Sequence, residues 1–163
     1  MKRTLILFRH AKSNWDDIDL PDTERPLADR GMRDAPMMGE RLAKQQVTPD
    51  LILSSPARRA RSTAEIFANA LGYKPEDIVV DERLYAAGPD SLLAVIGGLN
   101  DKLKCVMLFG HNPEFSALVH RLSSETTQLP TCAIAQFTFV MKSWSAIGST
   151  TPEKVAFDYP KKK

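Results

Sequence analysis

The sequence predicts an α/β fold in three layers, a sandwich with a mostly parallel central sheet and helices on both of its faces. Three apolar runs, residues 3–9, 50–54 and 104–109, each lead into polar residues, as buried strands of such a sheet do. Segments with apolar side chains at helical spacing lie between them. This alternation favours parallel strands joined by crossover helices, because a tight turn cannot join a parallel pair. The length of 163 residues suits one domain, residues 1–163.

The first part of the chain predicts a strand, a long loop and a helix. Residues 12–29 are polar and follow the strand at 3–9, so we interpret them as a loop that starts beside the strand end. Asp29 is a candidate cap for a helix that runs to about Gln46, and Pro36 predicts a late start or a kink in it. The apolar stripe of this helix consists of Met32, Ala35, Met38 and Leu42.

The remaining elements follow from capping residues and apolar spacing. After the second strand, Ser55 and Pro56 predict the N-cap and first turn of a helix that Gly72 ends. Its buried face is expected to carry Ala57, Ala60, Ala64, Phe67, Ala68 and Leu71. Further elements are expected in chain order: a strand at 78–80, a helix closed by Gly97-Gly98, the strand at 104–109, a helix opened by Asn112-Pro113, and strands at 133–140 and 154–159.

The composition argues against several classes of partner. A net charge of +2 offers no basic field for nucleic acid, and no apolar run approaches the roughly 20 residues that cross a membrane. Cys105 and Cys132 have no cysteine at metal-ligand or redox spacing, which disfavours a disulfide framework and a metal site. We therefore expect a cytoplasmic protein that binds neither nucleic acid nor membrane and contains no metal. The oligomeric state is left open.

Polar groups able to bind phosphate follow each of the three main strands. Arg9 and His10 end the first, Arg58 and Arg59 come shortly after the second, and His111 follows the fourth strand in the chain. Open α/β sheets bind ligands outside the carboxyl ends of their strands. Arginine holds two phosphoryl oxygens with its planar fork, and histidine can form a covalent phosphoryl intermediate. The sequence therefore predicts a phosphate-handling active site.

These residues lie within longer motifs that span nearly the whole chain. The motifs are Leu7-Phe8-Arg9-His10-Ala11-Lys12-Ser13, Arg25-Pro26-Leu27 with Arg30-Gly31, Ser55-Pro56-Ala57-Arg58-Arg59-Ala60-Arg61-Ser62-Thr63-Ala64, Leu84-Tyr85-Ala86-Ala87 and Gly110-His111-Asn112. Together they resemble the histidine phosphatase superfamily, also called the phosphoglycerate-mutase-like fold. The similarity is greatest to its short SixA-type branch of phosphohistidine phosphatases.

The resemblance implies a role for each matching residue. His10 would accept the phosphoryl group, while Arg9, Arg59 and His111 would hold its oxygens, without any cofactor. The family pattern favours Arg59 over Arg58, a choice that spacing alone does not make, and whether Arg58 shares the role stays open. Further candidates for phosphate binding are Ser13, Asn14 and Arg25.

The general acid of the reaction is not identified by the sequence. Where superfamily members that cleave oxygen esters carry Leu-x-Glu, this chain has Leu84-Tyr85-Ala86, with Glu82 out of register as a weak candidate and Asp90 beyond. A phosphorylated imidazole needs less help to leave than an alkoxide does. The missing acid therefore points to phosphohistidine, or another activated phosphoryl donor, as the substrate. The resemblance implies phosphohistidine on a partner protein, such as a phosphotransfer domain. Two alternatives remain: a phosphomonoesterase acting on small phosphate esters, and a non-catalytic phosphate-binding module.

Overall fold

A six-stranded sheet forms the centre of the computed structural model, which describes residues 1–162. Its strands are β1 (Lys2–Arg9), β2 (Leu51–Ser54), β3 (Val79–Val80), β4 (Cys105–Gly110), β5 (Ile134–Val140) and β6 (Lys154–Asp158). They are arranged in the order β3-β2-β4-β1-β5-β6, and β5 runs in the direction opposite to the other five of these strands. The predicted α/β fold with a mostly parallel sheet is confirmed. The last residue of the expected domain, Lys163, lies outside the described residues.

Helices cover both faces of the sheet. Within residues 1–162 they are α1 (Asp29–Ala43), α2 (Arg58–Leu71), α3 (Pro89–Gly97) and α4 (Glu114–Ser123). Alternate residues of β1 point to opposite faces: Ile6 and Phe8 pack with residues of α1 and α2, whereas Leu5 and Leu7 pack with residues of α3 and α4. The result is the expected three-layer sandwich. None of the helices within residues 1–162 is long and apolar enough to cross a membrane.

Three aromatic rings pack beneath the carboxyl ends of the central strands. Phe8 of β1 stacks on Phe109 of β4 with 4.1 Å between ring centroids, and Phe67 of α2 meets Phe8 edge-on at 4.9 Å. All three side chains are fully buried. Phe8 and Phe109 directly precede Arg9 and Gly110, so this packing fixes the backbone from which the polar groups extend.

The first helix differs from the prediction at both ends and on its buried face. It begins at Asp29 with Ala28 as its N-cap, and it continues through Pro36 to Ala43. Pro36 is exposed, so solvent can reach the turn in which its ring removes a hydrogen-bond donor. Met32 is 54% exposed, contrary to the prediction, and Gly31 is buried in its place. The apolar pattern missed this because a glycine carries no hydrophobic signal.

The second helix begins later than predicted. Its N-cap is Ala57 and its first residue is Arg58, so the expected cap at Ser55 is wrong. The Ser55 hydroxyl accepts from the Ala57 amide at 3.2 Å and bonds the His111 ring at 2.7 Å. It therefore links the end of β2 to the residue that follows β4 and does not cap α2. Gly72 ends the helix as predicted, with the left-handed φ of 73° that glycine accommodates without strain.

We expect Gly31→Ala to destabilise the protein. A Cβ on Gly31 would collide with the backbone carbonyl of Lys12, which cannot move aside as a flexible side chain would. The clash should lower the free energy of unfolding, measured in urea, by about 1–3 kcal/mol.

The matched control is Gly97→Ala in α3, where the added methyl would meet nothing closer than 3.9 Å. This variant should keep or raise the stability, because alanine favours a helix more than glycine does. A Gly31→Ala protein as stable as the unaltered chain would contradict the close approach.

Candidate active site

The carboxyl ends of β1, β2 and β4 meet at one edge of the sheet. Arg9 pairs with Gly110 across the β1–β4 ladder, and the His10 amide donates to the Gly110 carbonyl at 3.1 Å. The Ser55 amide, at the end of β2, donates to the Phe109 carbonyl at 2.9 Å. As a result the rings of His10 and His111 are only 5.2 Å apart between centroids.

His10 is held in one tautomer and is neutral. Its Nδ1 lies 2.7 Å from the Ala11 carbonyl, which can only accept, so Nδ1 carries the proton and Nε2 keeps its lone pair. Burial lowers the pKa of His10 to about 3, and the neighbouring charges of His111, Arg59 and Arg9 lower it further against the effect of the Ala11 bond. Nε2 is therefore free to act as a nucleophile at neutral pH.

His111 lies opposite with one ring nitrogen held and the other free. Its Nε2 bonds the Ser55 hydroxyl at 2.7 Å, while its Nδ1 is buried without a partner. Burial, followed by the charge of Arg59, lowers the pKa of His111 to about 4. The ring is therefore neutral and carries one N–H. Ser55 Oγ already accepts from the Ala57 amide, and its own proton has no other acceptor among the contacts within residues 1–162, so the hydroxyl donates to Nε2. The ring proton then lies on Nδ1, which is a donor.

Two guanidinium groups complete the arrangement. Arg9 donates through Nη1 to the Leu129 carbonyl at 2.8 Å. Arg59 donates through Nη1 to the Asp22 carbonyl at 2.7 Å and through Nη2 to the Asp22 carboxylate at 2.9 Å. Burial lowers the pKa of Arg9 from its ordinary value.

Unpartnered donors point to an anion as the ligand. Four buried side-chain nitrogen or oxygen atoms within residues 1–162 lack a hydrogen-bond partner, and three of them are Arg9 Nε, Arg59 Nε and His111 Nδ1. A buried polar atom without a partner costs about 1–3 kcal/mol, so three in one place are expected only where a ligand satisfies them. We call these three groups, with His10, the anion cup. The fourth atom is Glu114 Oε2, in the first turn of α4.

Asp22 is a residue of the site that the sequence did not reveal. Its carboxylate accepts from Arg59, from Arg25 Nη2 at 2.9 Å and from the Tyr85 hydroxyl at 2.6 Å. Partial burial raises its pKa, but the bonds from Tyr85, Arg25 and Arg59 outweigh burial and hold the pKa well below the usual range. Asp22 is thus a permanent anion that orients Arg59. The only available signal was a polar loop beginning beside His10.

The Tyr85 ring extends the same network towards His111. It meets the His111 ring edge-on at 5.5 Å between centroids, and its bond to Asp22 raises the pKa of its hydroxyl. Tyr85 lies within the Leu84-Tyr85-Ala86-Ala87 motif of the resemblance, which assigned no role to the tyrosine itself.

The weaker candidates lie around the cup. Ser13 Oγ accepts from Arg25 Nη1 at 2.7 Å, and Arg25 reaches the cup only through Asp22 among the contacts within residues 1–162. Asn14 Oδ1 accepts from the Asp16 amide, within the loop itself. Phosphate binding by Ser13, Asn14 and Arg25 therefore stays a prediction.

The sequence candidates that do not match the family pattern have exposed side chains; they are Glu82, Asp90 and Arg58. Glu82 lies in a short 3₁₀ helix, Glu82–Leu84, with its side chain exposed, and Asp90 pairs with Arg121 at 2.7 Å. Arg58 is exposed while its neighbour Arg59 is buried, so of the two only Arg59 is aimed at the strand ends. Residues 1–162 contain no group of three or more His, Cys, Asp or Glu side chains that could hold a metal ion.

Comparisons with known proteins agree with this geometry. The family model of the histidine phosphatase superfamily (branch 1) matches residues 5–85. An uncharacterized chloroplastic protein of Arabidopsis thaliana is 31% identical over 88% of this chain and 70% of its own length.

Solved structures share the fold along almost the whole chain. The SixA protein of Agrobacterium tumefaciens is 26% identical, with a TM-score of 0.78 over 94% of this chain and 97% of that one. A protein histidine phosphatase, SixA, in complex with tungstate is 24% identical, with a TM-score of 0.80 over 96% and 97% of the two chains.

The low pKa of His10 predicts a pH-dependent loss of stability. Between the ordinary histidine value of 6.5 and about 3, the unfolded chain binds a proton at this position and the folded chain does not. The contribution of His10 to the free energy of unfolding is therefore fully present above pH 6.5 and is lost as the pH falls towards 3. The free energy of unfolding, measured in urea, should fall between pH 6 and pH 5 in the unaltered protein. In His10→Gln this fall should be smaller by about 1 kcal/mol.

The control is His120→Gln, which removes an exposed imidazole from α4. If His10→Gln and the unaltered protein lose the same stability over this interval, His10 is protonated in the folded state and the pKa assignment is wrong.

Proposed function

The chain belongs to the histidine phosphatase superfamily and is a phosphatase, and from this premise we propose that it works through a phosphohistidine intermediate on His10 and acts on phosphohistidine of a partner protein. One observation carries the proposal. Three unpartnered buried donors, Arg9 Nε, Arg59 Nε and His111 Nδ1, belong to side chains near His10, whose neutral imidazole has an unprotonated Nε2. A SixA protein of the same fold was solved with tungstate, an oxyanion with the charge and shape to mimic phosphate.

In the first step His10 Nε2 attacks the phosphorus atom of the substrate. The P–N bond to the leaving imidazole breaks as the bond to Nε2 forms, and the leaving nitrogen keeps the electron pair. The three donors of the cup hold the phosphoryl oxygens, whose charge is largest during transfer. Because these donors are already oriented by Leu129, Asp22 and Ser55, little reorganisation is needed when the charge develops.

In the second step water attacks the phosphorus atom of phosphorylated His10. The P–Nε2 bond breaks, its electron pair returns to the ring, and water loses a proton to solvent as inorganic phosphate leaves. The neutral ring is thereby regenerated, and no cofactor is required. The Nδ1–H bond to Ala11 keeps the same tautomer throughout the cycle.

The acids near the cup favour a nitrogen leaving group. Asp22 is held ionised by Arg59, Arg25 and Tyr85, so it has no proton to give. Glu82 is exposed in its 3₁₀ helix. An alkoxide needs a proton as it leaves, whereas a protonated phosphoimidazole already has a labile P–N bond. This contrast supports phosphohistidine over an oxygen ester.

The second candidate function is a phosphomonoesterase for small phosphate esters. The observation that favours it is Glu114, three residues after His111, whose Oε2 is buried without a partner and could supply the missing proton. If this is the activity, Glu114→Gln should lower turnover of an alkyl phosphate and leave turnover of phosphohistidine unchanged.

The proposal includes a location in the cytoplasm. Both Cys105 and Cys132 are unpaired thiols, and burial raises the pKa of each to about 12. Inert reduced thiols suit a reducing compartment.

The covalent intermediate provides the direct test. After rapid quenching with a ³²P-labelled phosphohistidine peptide, the unaltered protein should carry acid-labile, alkali-stable label, and His10→Ala should carry none. The enzyme should also turn over the peptide faster than it turns over an alkyl phosphate. A folded protein that binds phosphate and never becomes labelled would instead be a non-catalytic binding module.

The two neighbouring arginines form a matched pair. Arg59→Lys should lower kcat/KM by about 10²-fold, because lysine cannot satisfy Asp22 with a planar fork while it donates to phosphate. Arg58→Lys, on the exposed face of the same helix turn, should leave kcat/KM unchanged. Equal losses in the two variants would show that Arg58 shares the role of Arg59.

A further inference from the structure

The segment Trp15–Glu24, which we call the acidic loop, has a charge opposite to that of the whole chain. It contains five carboxylates and no cation, while the protein has a net charge of +2. Asp22 is paired inside the site. The other four carboxylates are exposed and form no ion pair with any residue in 1–162; they are Asp16, Asp17, Asp19 and Glu24.

The same loop exposes two large apolar side chains. Trp15 is 62% exposed and Ile18 is 88% exposed. Exposed aromatic and aliphatic groups beside charged ones are typical of surfaces that bind another protein.

The acidic loop is fixed at its base and linked to the anion cup. Ser13 pairs with Leu27 across an isolated bridge, and the Asn14 amide donates to the Pro26 carbonyl at 2.8 Å. The Arg25 guanidinium lies 3.4 Å from the centre of the Trp15 ring. Because Arg25 also bonds Asp22, which bonds Arg59, the exposed residues have a defined position beside the cup.

A cleft of about 210 Å³ lies within the loop. Its lining combines three apolar side chains, Asp17, and the ion pair of Asp22 with Arg25; the apolar residues are Trp15, Ile18 and Leu20. The aliphatic part of a partner's lysine or arginine side chain would pack against Trp15 and Ile18, and its cation would pair with Asp17. An anionic small molecule would meet like charge at this surface.

We propose that the acidic loop docks the protein that carries the phosphorylated histidine, and that this partner presents basic and apolar side chains beside its phosphohistidine. The inference rests on the proposed function and names the partner surface for the same site. Charge complementarity selects a basic partner surface and speeds encounter, while burial of Trp15 and Ile18 adds contact area. The cup then binds the phosphoryl group that the docked partner delivers.

The test compares three probes that differ only around the phosphoryl group. Two synthetic peptides of equal length each carry one phosphohistidine, flanked by lysine and leucine in one peptide and by glutamate and serine in the other. Free phosphohistidine is the third probe. At low salt the unaltered protein should show a kcat/KM about tenfold higher for the basic peptide than for the acidic one, and added salt should reduce this ratio.

Two variants locate the preference in the loop. Ile18→Ser should lower kcat/KM for the basic peptide and leave free phosphohistidine unchanged. The triple variant Asp16→Asn, Asp17→Asn, Asp19→Asn should bring the ratio of the two peptides close to one without slowing free phosphohistidine. The matched controls are Val140→Ala, an exposed apolar residue at the far end of β5, and the triple variant Glu40→Gln, Glu65→Gln, Glu125→Gln, which should keep the preference.

Each outcome bears on one of the two proposals. If free phosphohistidine is turned over but the two peptides react equally, the docking surface is wrong and the phosphatase assignment stands. A preference that survives both loop variants likewise overturns the assignment to the acidic loop. If none of the three probes is turned over, the proposed function fails and the docking proposal fails with it.

Discussion

The parallel pairing of β1 with β4, and of β4 with β2, is the constraint on which the site depends. Parallel strands end at the same edge, so residues far apart in the chain meet there without any loop having to carry them. The ladder aligns Arg9 with Gly110, and the backbone bond from His10 to Gly110 continues it by one residue. Buried rings of Phe8 and Phe109 lie directly beneath, so the two histidines extend from packed rather than mobile backbone.

Burial determines the protonation of the cup, and Asp22 determines its orientation. Desolvation lowers the pKa of both imidazoles and keeps them neutral, while a guanidinium remains a cation in proteins. Two cations beside two neutral rings attract a phosphoryl group and still leave His10 a lone pair. Asp22 accepts from Nη1 of Arg59 through its backbone carbonyl and from Nη2 through its carboxylate, and Arg59 Nε is left buried without a partner.

The sequence prediction was wrong where a residue bonds to, or packs against, a residue that is distant in the chain. Ser55 has the chemistry of a helix cap, but its hydroxyl bonds the His111 ring from another strand. Gly31 lies on the buried face of α1 because the backbone of Lys12 passes it too closely for a side chain. Local patterns describe a residue's own element and contain no information on such contacts.

The sequence by itself determined the layered α/β fold, most of the helices and strands, and the four residues His10, Arg9, Arg59 and His111 as candidates. It could do so because apolar periodicity and strand-end motifs are local, and the order of the motifs identifies the family. Only the tertiary structure decided that Arg59 is buried while Arg58 is exposed, that Asp22 and Tyr85 join the site, and which ring nitrogens are free. Those features depend on contacts between elements, which arise only when the chain has packed.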